Sequence, residues 1–433
     1  MLFKGINREI LAISVPSIVT NITTPLLGLV DVAIAGHMGS ASYIGAIAVG
    51  GSLFNMLYWL FGFLRMGSSG MTAQAYGAND RVQQSRVLHQ ALAVGVLAGL
   101  VMILAQSLIC VAGLDFMDVK DDTRELASVY FKILIWGAPA VLCNYALCGW
   151  FVGMQNSAAA MWVSIVINVS NIAASCLMVY VFHLGISGLA GGTLFAQWCG
   201  FGLGAIIAFA HYKVARLRVK EILRWSMLKR FFRINSDIFL RTVCLVAVTM
   251  WFTRAGASQG DVMLAVNALL MQFFTIFSFF MDGFAFAGEA LVGKYIGAGQ
   301  PAELRTRIFA LCKWGAGIAV AFTLLYALGG NALLSVLSDD AGVISAAADY
   351  RWWVVTVPAV GFLAFSYDGI FIGATATRDM LMSMFVATVV FFAVYFLAFP
   401  AMGNDGLWLA FICYLFMRGV ILAFIGRRYV AGH

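Results

Sequence analysis

The chain has 433 residues, of which 62% are hydrophobic and only 11% are charged. A soluble domain devotes about a quarter of its residues to charged types, so a water-facing surface of this size is excluded and the outside must meet something apolar. The net charge of +7 does not mark a nucleic-acid binder, because the basic residues stand between apolar runs and form no face interleaved with aromatics.

In chain order, the apolar N-terminus through Asp31 is too long for a cleavable signal peptide and is expected to remain as a first span. A helix needs about 20 residues to cross roughly 30 Å of hydrocarbon. The apolar runs predict twelve such helices near 9–34, 45–70, 88–113, 127–149, 157–181, 187–210, 235–254, 262–291, 308–330, 351–373, 379–400 and 405–426. Unbroken runs argue against a membrane barrel, whose strands alternate over about ten residues. Backbone groups in lipid must pair internally, so these runs are helices.

Loop charges give an orientation. A cytoplasmic N-terminus places on one side Lys4, Arg8, Arg81, Arg86, Lys213, Arg216, Arg218, Lys220, Arg224, Lys229, Arg230 and Arg233. Lys294, Arg305, Arg307, Arg378, Arg427 and Arg428 follow on that side. The other side carries Asp115, Asp118, Asp121, Asp122, Glu125, Asp261, Asp339, Asp340, Asp349 and Asp405, with Lys120, Arg124, Arg254 and Arg351 as exceptions. That imbalance follows the positive-inside rule and leaves both termini cytoplasmic.

The basic segment 211–234 divides the chain into an N-terminal six-helix lobe, 1–210, and a C-terminal one, 235–433. Short matches support a duplication. Tyr76-Gly77-Ala78-Asn79 is echoed by Ile296-Gly297-Ala298-Gly299, Phe151-Val152-Gly153 by Phe371-Ile372-Gly373, and Ser187-Gly188-Leu189 by Asp405-Gly406-Leu407. Halves with an even number of spans can be related by an axis along the membrane normal, a usual design for alternating access. The fold class expected is an all-α polytopic membrane protein with two pseudo-symmetric lobes.

Polar residues in apolar spans carry the chemistry. Asp31 lies about 22 residues into its helix, which at about 1.5 Å per residue puts it in the outer half of the membrane. An aspartate at a helix centre costs roughly 2.5–3.5 kcal/mol on insertion scales. It should therefore face a cavity, a partner or a proton, as a coupling-ion or substrate site or else as a structural cap. Desolvation favours the protonated form of a carboxylic acid, so proton exchange is within reach. Pro25, one helical stretch earlier, removes a backbone donor and can bend the helix.

Asn144, Tyr145, Asn168 and Asn171 can complete a polar pocket or hold helices together. Asn168 and Asn171 share a helix face by their spacing. In the second half, Asp237 and Arg241 stand four apart and can neutralise each other or meet substrate. Asp282 and Asp368 lie deeper, with more reason to line a cavity. The abundant Phe and Met are packing residues or a soft lining for an organic cation.

Cysteines such as Cys110, Cys143, Cys148, Cys176 and Cys199 stand singly and read as small apolar fillers. Gly36-His37-Met38-Gly39 reads as a helix boundary, not a metal site. There is no HExxH, CxxC or glycine-rich nucleotide loop, so an enzyme, a resident cofactor and a bound metal are not expected.

Taken together, LLGLVDVAIAGHMGSASYIGAIAVG, YWLFGFLRMGSSGMTAQAYGAND, FMDGFAFAGEALVGKYIGAG and SYDGIFIGATATRDM resemble the DinF-like branch of the multidrug and toxic compound extrusion (MATE) transporters, along essentially the whole chain. The resemblance implies two six-helix lobes and export of organic cations or amphipathic compounds in exchange for protons or sodium ions. It implies that Asp31 is the first-helix carboxylate used for cation coupling, that Asn168 lies near the ion site, and that Asp368 handles ion or substrate. Many relatives carry an Asp four residues after that Asn; Ile172 stands there here, which favours H+ over Na+.

The expected partners are small organic cations or amphipathic drugs and the lipid bilayer, with a monomer as the working unit in a bacterial inner membrane. The alternatives are a sodium-coupled multidrug antiporter and a flippase or exporter of a lipid-like amphiphile. An arginine-lined cavity would favour the last.

Overall fold

The computed structural model describes residues 2–37, 41–117, 121–215, 225–338 and 340–431. Asp118, Lys120, Arg216, Arg218, Lys220, Arg224 and Asp339, used above for orientation, lie outside them, as do Met38 and Gly39 of the expected helix boundary. The described residues contain twelve helices long and apolar enough to cross a membrane. These are α1 Gly5–Gly36, α2 Ser42–Gly77, α3 Arg81–Leu104, α4 Thr123–Gly153, α5 Ser157–Val181, α6 Gly185–His211, α7 Lys229–Ala257, α8 Asp261–Gly297, α9 Pro301–Gly330, α10 Ala341–Gly373, α11 Thr377–Met402 and α12 Asn404–Arg427. The protein is an all-helical, multi-pass membrane protein.

The count agrees with the sequence reading and the boundaries differ. The third run does not reach 113 as one helix. At Ala105 the backbone turns to φ −88°, ψ 6°, and a separate short helix, Gln106–Phe116, follows. Several helices also exceed the hydrocarbon: the 37 residues of α8 span about 55 Å at 1.5 Å per residue. Periodicity cannot mark such ends, because apolar and interfacial turns of one helix keep the same local geometry.

Capping begins several helices. Asp80 Oδ1 accepts from Gln83 N at 2.9 Å ahead of α3, Asn156 Oδ1 from Ala159 N at 3.1 Å ahead of α5, and Asp340 Oδ1 from Gly342 N at 2.8 Å ahead of α10.

The duplication is visible in the backbone. Left-handed residues recur 220 positions apart: Asn79 (φ 54°) with Gly299 (63°), Gln155 (64°) with Thr375 (54°), and His183 (54°) with Gly403 (57°). The first two pairs close the same helix-ending motif, Asp80 N to Ala75 O and Gln300 N to Tyr295 O, then Asn156 N to Phe151 O and Ala376 N to Phe371 O. A β-branched threonine is a poor left-handed residue, so Thr375 marks a geometry that the fold imposes.

Close helix contacts repeat as well. A Cβ added at Gly153 would stand 2.6 Å from the Ser69 carbonyl, and one at Gly373 2.7 Å from that of Glu289. Lipid provides no hydrophobic drive between helices, so small residues that let backbones approach carry the association.

By its packing the chain forms two compact units, Val19–Asn235 and Met1–Ile18 with Ser236–His433. The sequence division at 211–234 leaves residues 1–18 with the first half; packing groups them with the second. Their attachment is polar. Glu9 accepts from Lys294 Nζ at 2.7 Å, from Tyr295 at 3.1 Å and from Arg307 at 3.4 Å, and Trp314 Nε1 donates to Asn7 Oδ1 at 3.1 Å. In the second unit the core is aromatic, around Phe277, Phe391, Trp408 and Tyr414. In the first, Trp150 and Phe151 pack with Leu88, Leu147 and Val163.

Candidate functional site

Asp31 sits near the end of α1 with 2% of its surface exposed. It is not a loop residue, and the cost of an aspartate among apolar helices is met by partners from α4, α5 and α6. Thr193 Oγ1 in α6 donates to Asp31 Oδ2 at 3.0 Å, and Asn171 Nδ2 in α5 donates to that same hydroxyl at 2.8 Å. The Tyr130 hydroxyl of α4 adjoins the carboxyl. A threonine hydroxyl has one proton and two acceptor positions, so it relays a donor from Asn171 to the carboxylate. Asp31 Oδ1 and Asn171 Oδ1 remain buried without a hydrogen-bond partner. Two such acceptors are costly in an apolar interior, and a proton taken up at Asp31 would lower that cost.

Asn168 takes another role. Its Nδ2 donates to the Ser164 carbonyl of its own helix at 2.9 Å, and Ser164 Oγ meets Thr23 Oγ1 of α1 at 3.1 Å. The helix spacing did put Asn168 and Asn171 on α5 one turn apart, but only Asn171 joins the carboxylate. Pro25 lies between the Thr23 and Asp31 attachments, and Ile22, Thr24, Pro25, Leu26, Gly28 and Leu29 are exposed. The helix runs unbroken through Pro25, which offers no N–H to the carbonyl four residues back.

Asn144 is helix glue: Nδ2 donates to the Gln197 carbonyl at 3.1 Å, joining α4 to α6. Tyr145 beside it stands in the field of Arg65. Both belong to the Val19–Asn235 unit, while Asp237, Arg241, Asp282 and Asp368 belong to the other.

In that second unit the pairing differs from the sequence reading. Asp237 and Arg241 do not form an ion pair. Arg241 Nη2 in α7 and Arg418 Nη2 in α12 both donate to Asp368 Oδ2 in α10, and Asp237 Oδ2 accepts from Thr377 Oγ1 at 2.8 Å. The i,i+4 spacing allows contact along one helix, but tertiary packing gives Arg241 a carboxylate that is itself buried. Asp282 in α8 lies within the field of Arg418. Both guanidinium groups thus bind one oxygen of Asp368, and its Oδ1 is buried without a hydrogen-bond partner.

Sequence reasoning missed Arg418, Thr193 and Tyr130. Arg418 had a readable signal, a guanidinium inside LWLAFICYLFMRGVILAFIG, subject to the same cost argument as Asp31. Thr193 and Tyr130 had none, since a Thr or Tyr in an apolar helix is ordinary.

Comparison with known proteins bears on the whole chain. The MatE family profile matches residues 16–177 and 238–397. DNA damage-inducible protein F of Escherichia coli (strain K12) is 35% identical over 422 residues, covering 96% of this chain and 91% of that protein. A probable multidrug resistance protein NorM of Idiomarina loihiensis is 24% identical over 459 residues, covering 99% and 96%. Among solved structures, a MATE protein in the bent conformation superposes with TM-score 0.85 at 19% identity over 98% of this chain and 96% of that one. The Vibrio cholerae MATE transporter VcmN in the bent form gives 0.87 at 14% identity over 99% and 98%. The fold, the two matched halves and the full-length relative leave one conclusion: the chain belongs to the MATE family of multidrug and toxic compound antiporters, and is a transporter rather than an enzyme.

Proposed function

We propose that this transporter exports small organic cations or amphipathic toxic compounds in exchange for protons, with Asp31 as the coupling carboxyl. The observation that carries this reading is a buried carboxylate on α1 whose second oxygen, like that of Asn171, has no partner. In the cycle, outward-facing protein takes a proton at Asp31, the neutral carboxyl repacks against Asn171 and Thr193, and the cationic substrate leaves. After the lobes rearrange, the proton departs inward. Pro25 and the exposed stretch around it are where α1 would bend during the cycle, because the proline leaves a backbone carbonyl without its helical donor. The setting is a bacterial inner membrane with both termini cytoplasmic, as the basic residues of one side favour.

A sodium-coupled cycle is the nearest competitor. The single carboxylate beside neutral Asn, Thr and Tyr groups, with Ile172 where relatives place an acid, supports the proton. One proton in for one monovalent cation out moves no net charge, so only the pH gradient drives it, at about 1.36 kcal/mol per pH unit. Any net charge moved would add about 2.3 kcal/mol per 100 mV.

The test is efflux of a fluorescent organic cation from proteoliposomes under separately imposed pH and sodium gradients. Stimulation by the pH gradient alone, lost in Asp31→Asn, is the expected result. Full gradient-driven flux in Asp31→Asn would refute direct coupling, and a response to sodium alone would replace the proton.

A further inference from the structure

The second unit holds a cluster that the coupling reading does not use. Arg241, Asp368 and Arg418 are each at most 6% exposed. One carboxylate oxygen, Asp368 Oδ2, accepts from both guanidiniums. Arg418 is further fixed in place: its guanidinium lies 5.5 Å from the Phe365 ring centroid, and its backbone carbonyl accepts from Ser383 Oγ at 3.0 Å. The charged and titratable groups around Asp368 are Arg241 from α7, Asp282 from α8, and Arg418 and Tyr414 from α12; α11 contributes neutral Ser383 and Met384.

Asp368 Oδ1 is buried without a partner, so the carboxylate has lone pairs to spare. What it lacks is uncompensated negative charge. Arginine stays protonated in proteins, and its charge is tethered to a helix and does not exchange with solvent. A sodium ion, a proton or a cationic substrate arriving at Oδ1 would meet two fixed positive charges already bound to Oδ2.

We propose that Arg241 and Arg418 are specificity-determining counter-ions that hold Asp368 out of the transport cycle, so that its carboxylate is no site for an exchangeable cation. The inference rests on the coupling role given to Asp31.

The experiment removes Asp31 first, so that any remaining cation response comes from elsewhere. Full-length D31N, D31N/R241Q/R418Q and D31N/R241Q/R418Q/D368N are purified in detergent. Their thermal midpoints are measured in sodium chloride and in N-methylglucamine chloride at equal ionic strength. Proton release is followed on adding tetraphenylphosphonium in weak buffer.

D31N should show no sodium-dependent midpoint and no proton release. The arginine double replacement should gain a sodium-dependent rise of several degrees, and adding D368N should cancel it. A sodium shift or proton release in D31N with both arginines present would overturn the proposal, as would a monodisperse D31N/R241Q/R418Q protein that gains no response. Should the arginine variants not fold, D31N alone decides, its silence supporting the proposal and its response refuting it. Failure of the coupling reading is separable, since it would appear as wild-type protein with no Asp31-dependent flux or proton release.

Discussion

The two halves share a backbone and differ in where they bury charge. Left-handed turns, helix-ending hydrogen bonds and glycine contacts recur at a displacement of 220 positions. The polar residues do not. At that displacement the fully buried Asn171 of the first half faces its equivalent in Phe391, and Asp368 of the second corresponds to Cys148. The first half thus buries Asp31 among neutral hydrogen-bonding groups, and the second buries Asp368 against two arginines. Duplication supplied a scaffold whose packing depends on backbone approach, which few substitutions tolerate, while buried side chains facing away from those crossings could diverge in chemistry. In the proposed cycle the asymmetry matters because the proton is exchanged at the first kind of site, while tethered arginines occupy the second.

The largest effect should come from breaking the arginine-paired site. Asp368→Asn leaves two buried guanidiniums uncompensated and should destabilise the protein by about 3–5 kcal/mol, read from thermal unfolding in detergent; Asp31→Asn, which strands no opposite charge, should cost far less. If the two cost the same, the contrast between the halves is wrong.

Next come the repeated glycine contacts. Gly153→Val and Gly373→Val each force a side chain against a carbonyl at under 3 Å, and each should cost about 1–3 kcal/mol by overpacking. Equal losses sharpen the claim that the scaffold is duplicated, and a loss in only one half would break it.

A smaller effect is expected at the relay. Thr193→Val removes the hydroxyl between Asn171 and Asp31 and should lower stability by about 1 kcal/mol. Its more telling consequence is on flux: the pH dependence of efflux should move, since the carboxylate loses the donor that favours its charged form. An unchanged pH profile would show that Thr193 does not tune the site.

The smallest belongs to the base of α1. Glu9 is partly exposed, with 24% of its side chain accessible, and ion pairs of that kind contribute about 0–1 kcal/mol. Glu9→Gln should therefore leave the unfolding midpoint nearly unchanged. A large loss would mean that residues 1–18 depend on this cluster more than surface pairs allow.

From the sequence alone, the class of the molecule, its twelve spans and the duplication were legible, and Asp31 stood out as a buried carboxylate: lipid demands long apolar helices and penalises a lone carboxylate enough to make it conspicuous, while repeated short matches mark the two halves. The sequence also showed Asn171 as a polar residue, without distinguishing it from Asn168 on the same face. Tertiary structure alone decided that Thr193 and Tyr130 stand at Asp31, that Arg241 bonds Asp368 instead of Asp237, and that residues 1–18 pack with the second half. The reason is that a partner's identity depends on how helices are rotated and crossed, set by many small contacts such as those at Gly153 and Gly373. Local spacing lists which residues can meet, and only the packed helices choose among them.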